Sequence, residues 1–575
     1  MNRTLLFIGL LLLGAMGPQW VHAQAPGWQS AIAVASGSTA KVTATAADAA
    51  GNVYMTGFYT GTAGFGPLQL TSTTFGSLEV FVAKWNPAAG YVWVVRAGGS
   101  GSTGGGVSAL ALALQGTSIY VAGSFNCQTA TFGSTVLTNV GAPNTFTSDI
   151  FIAKLTDAGS SASFGSVVRA GGDGNDRAVA LTAQGTSVFV TGDFDGATAT
   201  FGGTALTNAG ATFTTDVYAA RLNDAGTGLT YAWATRAGGT RDDMANGLAT
   251  SGGSVYLTGF VTRDASFGTI MLTSSGTSGY IAKLTDAGSS AGFAWVQQLV
   301  GAAGTAAGMA LAASGSTVYA TGVFVGTLAI GSTTLTYAPT TIGGSDMFVA
   351  RLNDAGATSS FAWALRAGGA RSDAGNALAV SGSSVYVAGS FDGTATFGSS
   401  SLTSAGAADV VVAKVLDAGS SASFAWAQRA GGTGQLGDVA RGLALSGNHL
   451  YVVGDVTPPA SFGSFTLANT NGFLSSLTDT ALPTAATAFL TAENLTLFPN
   501  PAHTTTKVHL PAVPGAALAT LTLRDALGRA VRTQLVNLTA AGVTADMPLT
   551  GLAPGLYQVQ VQAGGQQASR VLAVE

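Results

Sequence analysis

Short apolar runs, broken by glycine, serine, threonine and aspartate turns, recur along most of this chain at a fixed period. An aliphatic–aromatic pair stands at Val53-Tyr54, Ile119-Tyr120, Val188-Phe189, Val255-Tyr256, Val318-Tyr319, Val385-Tyr386 and Leu450-Tyr451, with steps of 66, 69, 67, 63, 67 and 65 residues. Eleven or twelve residues after each aromatic comes an apolar residue followed by glycine, at Phe65, Phe132, Phe201, Phe267, Ile330, Phe397 and Phe462. Next comes an aromatic-x-Ala-basic run such as Phe348-Val349-Ala350-Arg351. A turn, usually Asp-Ala-Gly as at Asp157 to Gly159, then leads into a Trp-x-x-Arg-Ala-Gly-Gly run, as at Trp363 to Gly369. One unit is written seven times, and a period of this length marks a repeat architecture.

Each unit predicts four short strands: a small apolar one (Asn376 to Val380), the Val-Tyr strand, one ending in Lys or Arg, and one carrying Trp. Alternation, aromatics and turn residues favour strand over helix throughout. Such a unit cannot bury its faces alone, which fits a propeller blade stacked on its neighbours. A β-helix has much shorter rungs. The small first strand suits the crowded axis, and the aromatics fill the space between blades. The phase of the repeat predicts closure. The chain enters at Trp28, a fourth-strand residue, and leaves after Phe473 to Leu477, a third strand. Pairing the two completes a seven-bladed ring and hides both edges. The units resemble the bacterial β-propeller-repeat family over roughly Trp28 to Thr478, which implies the architecture and no particular activity.

Both ends differ from the middle. Arg3, the apolar run Leu5 to Met16 and Val21-His22-Ala23 before Gln24 form the n-region, h-region and cleavage site of a signal peptide cut between Ala23 and Gln24. The run is too short to span a bilayer, and no other apolar run is long enough. After Thr478 the period stops, and the Ala/Thr-rich stretch 479–493 reads as a linker. Leu495 to Phe498 is a strand ended by Pro499-Asn500-Pro501. A hairpin turns at Asp525 to Gly528, and Gly555-Leu556-Tyr557 opens another strand. These predict a small, immunoglobulin-like β-sandwich over 494–575. The whole chain is therefore expected to be all-β: signal peptide 1–23, propeller 24–478, linker 479–493 and sandwich 494–575.

The tail resembles the C-terminal sorting domain of type IX secretion cargo. The matching residues are Phe498, Pro499, Asn500 and Pro501, Asp525 with Gly528 and Arg529, and Leu552 with Gly555, Leu556 and Tyr557. The resemblance implies a Gram-negative cell, and partners in the type IX machinery and its C-terminal processing peptidase. It also implies loss of this domain, with attachment to the outer-membrane surface or release.

Composition narrows the function classes. Charged residues are 9% of 575, glycines number 81, and the net charge is −4. A chain so poor in Lys and Arg offers no footprint for nucleic acid. Cys127 is the one cysteine, which excludes a disulfide framework and a cysteine zinc site. His449, His503 and His509 lack metal-spaced or triad partners. Asp173-Gly174-Asn175-Asp176 lacks the later ligands of a calcium loop.

Most charges recur with the unit. Acids precede the third strand at Glu79, Asp149, Asp216, Asp346 and Asp409, and bases end it at Lys84, Lys154, Arg221, Lys283, Arg351 and Lys414. Arginines stand on the fourth strand at 96, 169, 236, 366 and 429, with Asp176, Asp243 and Asp373 seven residues after three of them. Copied groups serve the blade, whereas catalysis needs uniquely placed ones. The expectation is therefore no enzyme, no catalytic residue, no cofactor and no metal: an exported propeller that binds a glycan or other surface ligand. A propeller polysaccharide lyase or glycosidase, and a structural surface-layer component, are the alternatives. The residues that break the pattern, Arg263-Asp264 and Arg441, are the places to look for a site.

Overall fold

The computed structural model describes residues 25–575 except 38, 75, 101–104, 142–146, 211–212, 302–303, 338–342, 470, 481–494, 512, 514–517, 526–527, 539–541 and 564–565. All regular structure among these residues is β-strand. Two compact units are present, one built by the repeats up to Thr478 and one built mainly by 479–575.

In the first unit the repeats form seven larger sheets, six of six strands and one of four, and a separate two-stranded hairpin, Thr62–Phe65 with Leu68–Thr71. A representative sheet runs Asp373–Ser381, Ser384–Phe391, Asp409–Asp417 and Ala422–Gly432, all antiparallel. The second and third strands are buried on both faces, which explains their continuous apolar runs. The first strand alternates, because only one of its faces is fully covered.

Two strands in each six-stranded sheet were not expected. The apolar-Gly segment of each repeat is a hairpin, and in six repeats it extends the outer edge of the preceding blade; the first pairs with Ser36 through an isolated bridge at Gly64. Ala460–Phe462 pairs with Gly431 and Gly432 of the previous repeat, and Phe465–Leu467 completes the edge. The aromatic of the same hairpin packs back on its own blade. Phe462 lies 4.9 Å from Phe473 and 5.1 Å edge-on from Trp28, ring centre to ring centre. Each of these six hairpins thus bonds to one blade, and the last, at Phe462, packs on the next.

The four-stranded sheet holds the two ends of the repeat region. Trp28–Ala33 pairs antiparallel with Gly472–Thr478, setting Trp28 opposite Leu477 and Ala33 opposite Phe473. Trp28 also donates its indole N–H to Arg429 O of the preceding blade at 2.9 Å. The repeat phase predicted this pairing.

The second unit is a sandwich. One sheet is Thr496–Phe498, Thr505–Leu510 and Val543–Pro548; the other is Ala530–Asn537, Leu518–Arg524, Gly555–Ala563 and Gln566–Val574. Its core is Leu495, Val508, Leu510, Leu521, Leu523, Val559, Val561 and Leu572. Ala23 and Gln24, and the linker beyond Thr480, lie outside the described residues.

Candidate functional site

The recurring charges resolve into two devices at the blade junctions. At one, the aspartate of the Asp-Ala-Gly turn is clasped by the previous blade. Asp417 accepts hydrogen bonds from Tyr319 Oη at 2.7 Å, Trp363 Nε1 at 2.8 Å and Arg351 Nη1 at 2.8 Å. Asp354 is held likewise by Tyr256, Trp295 and Lys283, and Asp157 by Tyr54, Trp93 and Lys84. Burial alone would raise these carboxyls, but the converging donors outweigh it and hold Asp157, Asp224, Asp354 and Asp417 below the ordinary range.

At the second device, the acid opening the third strand pairs with the arginine of the fourth: Asp149 with Arg169, Asp216 with Arg236, Asp346 with Arg366 and Asp409 with Arg429. A second buried acid, opening the first strand of the next blade, bonds the amide of the Gly-Gly pair; Asp373 accepts from Gly369 N at 2.8 Å. The intervening glycine has positive φ, and a Cβ on Gly368 would fall on both the Asp346 and Asp373 carboxylates. Burial, then the neighbouring carboxylates, push Asp176 up to about 8, and Asp243 and Asp373 up to about 7. Both devices are copied around the ring, and both hold blades together.

The asymmetry lies at the axis. In six first strands the pairing register skips one residue, a β-bulge, leaving Thr43, Leu110, Val179, Asn246, Met309 and Asn376 unpaired. Bulges re-aim a side chain. In the seventh repeat the same place, three residues after the opening acid Asp438, is Arg441. All seven line one open cavity of about 200 Å³ formed by first strands of every blade.

The polar members each reach toward the next blade. Thr43 Oγ1 donates to Ala109 O at 2.8 Å, Asn246 Nδ2 to Gly308 O at 2.9 Å, and Asn376 Nδ2 to Ala440 O at 3.1 Å. Each acceptor is the carbonyl just before the next blade's cavity-lining residue: Leu110, Met309 and Arg441. Arg441 is exposed, and its Nε is held by Asp455 Oδ2 at 2.7 Å. Leucines 112, 181, 248, 311, 378 and 443 line the same cavity.

The other residues singled out from the sequence have structural places. Arg263 has positive φ in a turn, and Asp264 Oδ1 accepts the Ser274 amide. Cys127 is buried, and a Cβ on Gly99 would strike its Sγ. Asp176 is a junction acid, while Asn175 is bound by Asp195. His449 is exposed on its strand, His503 faces Glu575, and His509 Nδ1 meets Thr544 Oγ1 at 2.9 Å. Among the described residues no group of three or more His, Cys, Asp or Glu side chains is placed to hold a metal ion. No described helix is long and apolar enough to cross a membrane.

The sorting-motif residues are turn staples. Asn500 donates through Nδ2 to Val571 O and accepts from Ala573 N, both at 2.9 Å, tying the Pro-Asn-Pro turn to the last strand. Pro499 O accepts the Thr506 hydroxyl, and Ala502, beside Pro501, bonds through its amide to Ala573 O. Asp525 accepts from the Arg529 amide and Nε, while Gly528 has a φ of +78°. Tyr557 Oη donates to Ala553 O over the turn that Gly555 ends. Phe498 is 75% exposed.

This is an exported, all-β protein of propeller-type repeated sheets. Residues 496–575 match the secretion system C-terminal sorting domain family, so the chain is exported and ends attached to the outer-membrane surface or secreted. No curated protein matches the chain. Solved structures similar to it include a phage phi92 endosialidase, at 10% identity over 95% of this chain and 87% of that one, with a TM-score of 0.34. A Trypanosoma rangeli sialidase in complex with sialic acid is 8% identical over 95% and 87%, with a TM-score of 0.30.

These neighbours correct one expectation. That the propeller is not an enzyme does not stand, because the structures aligned along nearly its whole length are enzymes. The premise fails physically as well. Recurrence does not prevent tuned carboxyls, as Asp176 shows, and it does not prevent a unique mouth, as Arg441 shows. At these scores the likeness assigns no substrate and no catalytic residue.

Proposed function

We propose that the propeller, over 24–478, is a recognition ring presented at the cell surface, with its ligand site at the axial cavity. The observation that supports this is convergence. The polar residues at the one first-strand position that varies from blade to blade (Thr43, Asn246, Asn376 and Arg441) share one cavity, whereas the copied charges are spent at junctions. A ligand lacks the pseudo-symmetry of the ring, so unlike side chains at equivalent positions are what recognition requires. Sandwich 494–575 delivers the ring through the type IX machinery and is removed by its processing peptidase.

A glycan array probed with the purified chain and with Asn376→Leu tests this. Leucine already fills the position as Leu110, so the variant keeps its fold. Signals on the wild type that fall at least tenfold in the variant are expected; an array unchanged by the substitution overturns the site. Incubating the same glycans and measuring product mass reads turnover in parallel, and products that vanish in Asn376→Leu would make the mouth catalytic.

A further inference from the structure

We infer that the axial cavity reads the polyhydroxyl end of a saccharide; this rests on the mouth being the ligand site. The inference comes from how donors and acceptors are distributed there. The N–H groups of Asn246 and Asn376 and the hydroxyl proton of Thr43 are already committed to carbonyls of the next blade. A carboxamide that donates to a carbonyl fixes which end is nitrogen, so each asparagine presents its oxygen to the cavity. Among the described residues neither oxygen has a partner. Thr43, with its proton spent, likewise has acceptor capacity only. Three acceptor positions therefore sit around the ring, in blades one, four and six.

The donor side is one group. Arg441 is anchored through Nε to Asp455, which neutralises the pair and fixes the guanidinium plane while the side chain remains 42% exposed. A free anion gains little from a guanidinium already compensated by a carboxylate. A hydroxyl or ring oxygen loses nothing by that compensation, because it needs a donor and not a net charge. The rest of the lining is leucine, alanine and glycine with Met309, Val179 and Thr45, whose hydroxyl proton is bonded to Tyr54 O. Hydroxyl donors facing three acceptors, an oxygen facing one fixed donor, and apolar C–H faces on leucine describe a pyranose. The cavity, about 200 Å³, lies below the ~300–1,000 Å³ of sites for larger ligands. It admits one terminal ring rather than a chain threaded along the axis.

Saturation-transfer NMR on the intact chain tests this. The probes are methyl glucopyranosides, galactopyranosides and mannopyranosides of both anomers, with acetate, benzoate and a neutral tripeptide as contrasts. Asn246→Met and Asn376→Leu are the variants, each copying a residue that another blade carries at that position. Ring C–H signals from at least one pyranoside, falling fivefold or more in both variants and on removal of a single ligand hydroxyl, are the expected result. Signals only from acetate, benzoate or tripeptide, lost in the variants, overturn the saccharide inference and leave the mouth as the site. Pyranoside signals that survive both variants overturn the mouth and this inference together. Silence from every probe overturns the inference.

Discussion

Asp417 shows how the repeat's commonest charges act. Three donors from the preceding blade converge on it, and its partner Arg351 is 17% exposed against 6% for the aspartate. Removing one member of such a buried pair strands the other, which costs about 3–5 kcal/mol. Asp417→Ala should therefore lower unfolding stability by about that amount in a denaturant titration. Asp392→Ala, which breaks a pair whose arginine is 60% exposed, should cost less than about 1 kcal/mol. Equal losses would contradict the clasp. The pH dependence follows from the other acids. Folded Asp176, Asp243, Asp373 and Asp438 hold protons up to about 8, 7, 7 and 6, raised first by burial. Unfolded aspartate titrates at about 3.9, so across this window the folded ring binds more protons. Their stabilisation is full below about pH 4 and is lost as pH rises through 6 to 8. The clasp acids have lowered values, so their stabilisation is present above about pH 4 and is lost as pH falls further. Tm should therefore peak near pH 4 to 5 and decline until about pH 8, less steeply in Asp373→Asn. A Tm that climbs from pH 5 to pH 8 would contradict this.

Strand identity was largely legible, because the period of the apolar pattern and the Gly-Asp turns report local geometry directly. Trp28 opposite Leu477 was legible from phase alone. The hairpin at Phe65, Phe132 and their equivalents was visible as a recurring motif but not as strands. Its runs are three or four residues long, and its partner lies in another repeat. The bulges were not legible. A skipped residue shifts the next buried position from the second to the third, as from Ala178 to Leu181, but in so small and apolar a strand the shift leaves no contrast to read, so Asn246 and Asn376 read as ordinary first-strand positions. Of the cavity residues Arg441 stood out, as Arg263-Asp264 did elsewhere, because it breaks the repeat pattern. Removing residues 27–33 should expose the edge of Gly472–Thr478 and leave Phe462 without Trp28. The shortened chain should elute in aggregates and unfold at lower denaturant; a monomer of unchanged stability would show that the pairing is dispensable.

For the molecule as a whole, the sorting-family residues and the axial cavity lie in separate units. The sorting residues were legible as a motif, and the structure adds why they recur together: Asn500, Asp525, Arg529 and Tyr557 fasten turns of one sandwich. A chain ending at Thr478 should accumulate in the periplasm, while the full chain reaches the surface or the medium. Surface accessibility to an added protease measures this, and equal exposure of both chains would refute it. The proposed ligand site is the axial cavity of the ring. Its sharpest test is the dissociation constant of one bound glycan, by calorimetry, for the wild type, Asn376→Leu at the mouth and Arg371→Ala, an exposed arginine outside the cavity lining. A loss of tenfold or more at the mouth with an unchanged Arg371→Ala is the predicted result. Unchanged affinity in Asn376→Leu, with loss in Arg371→Ala, would contradict it.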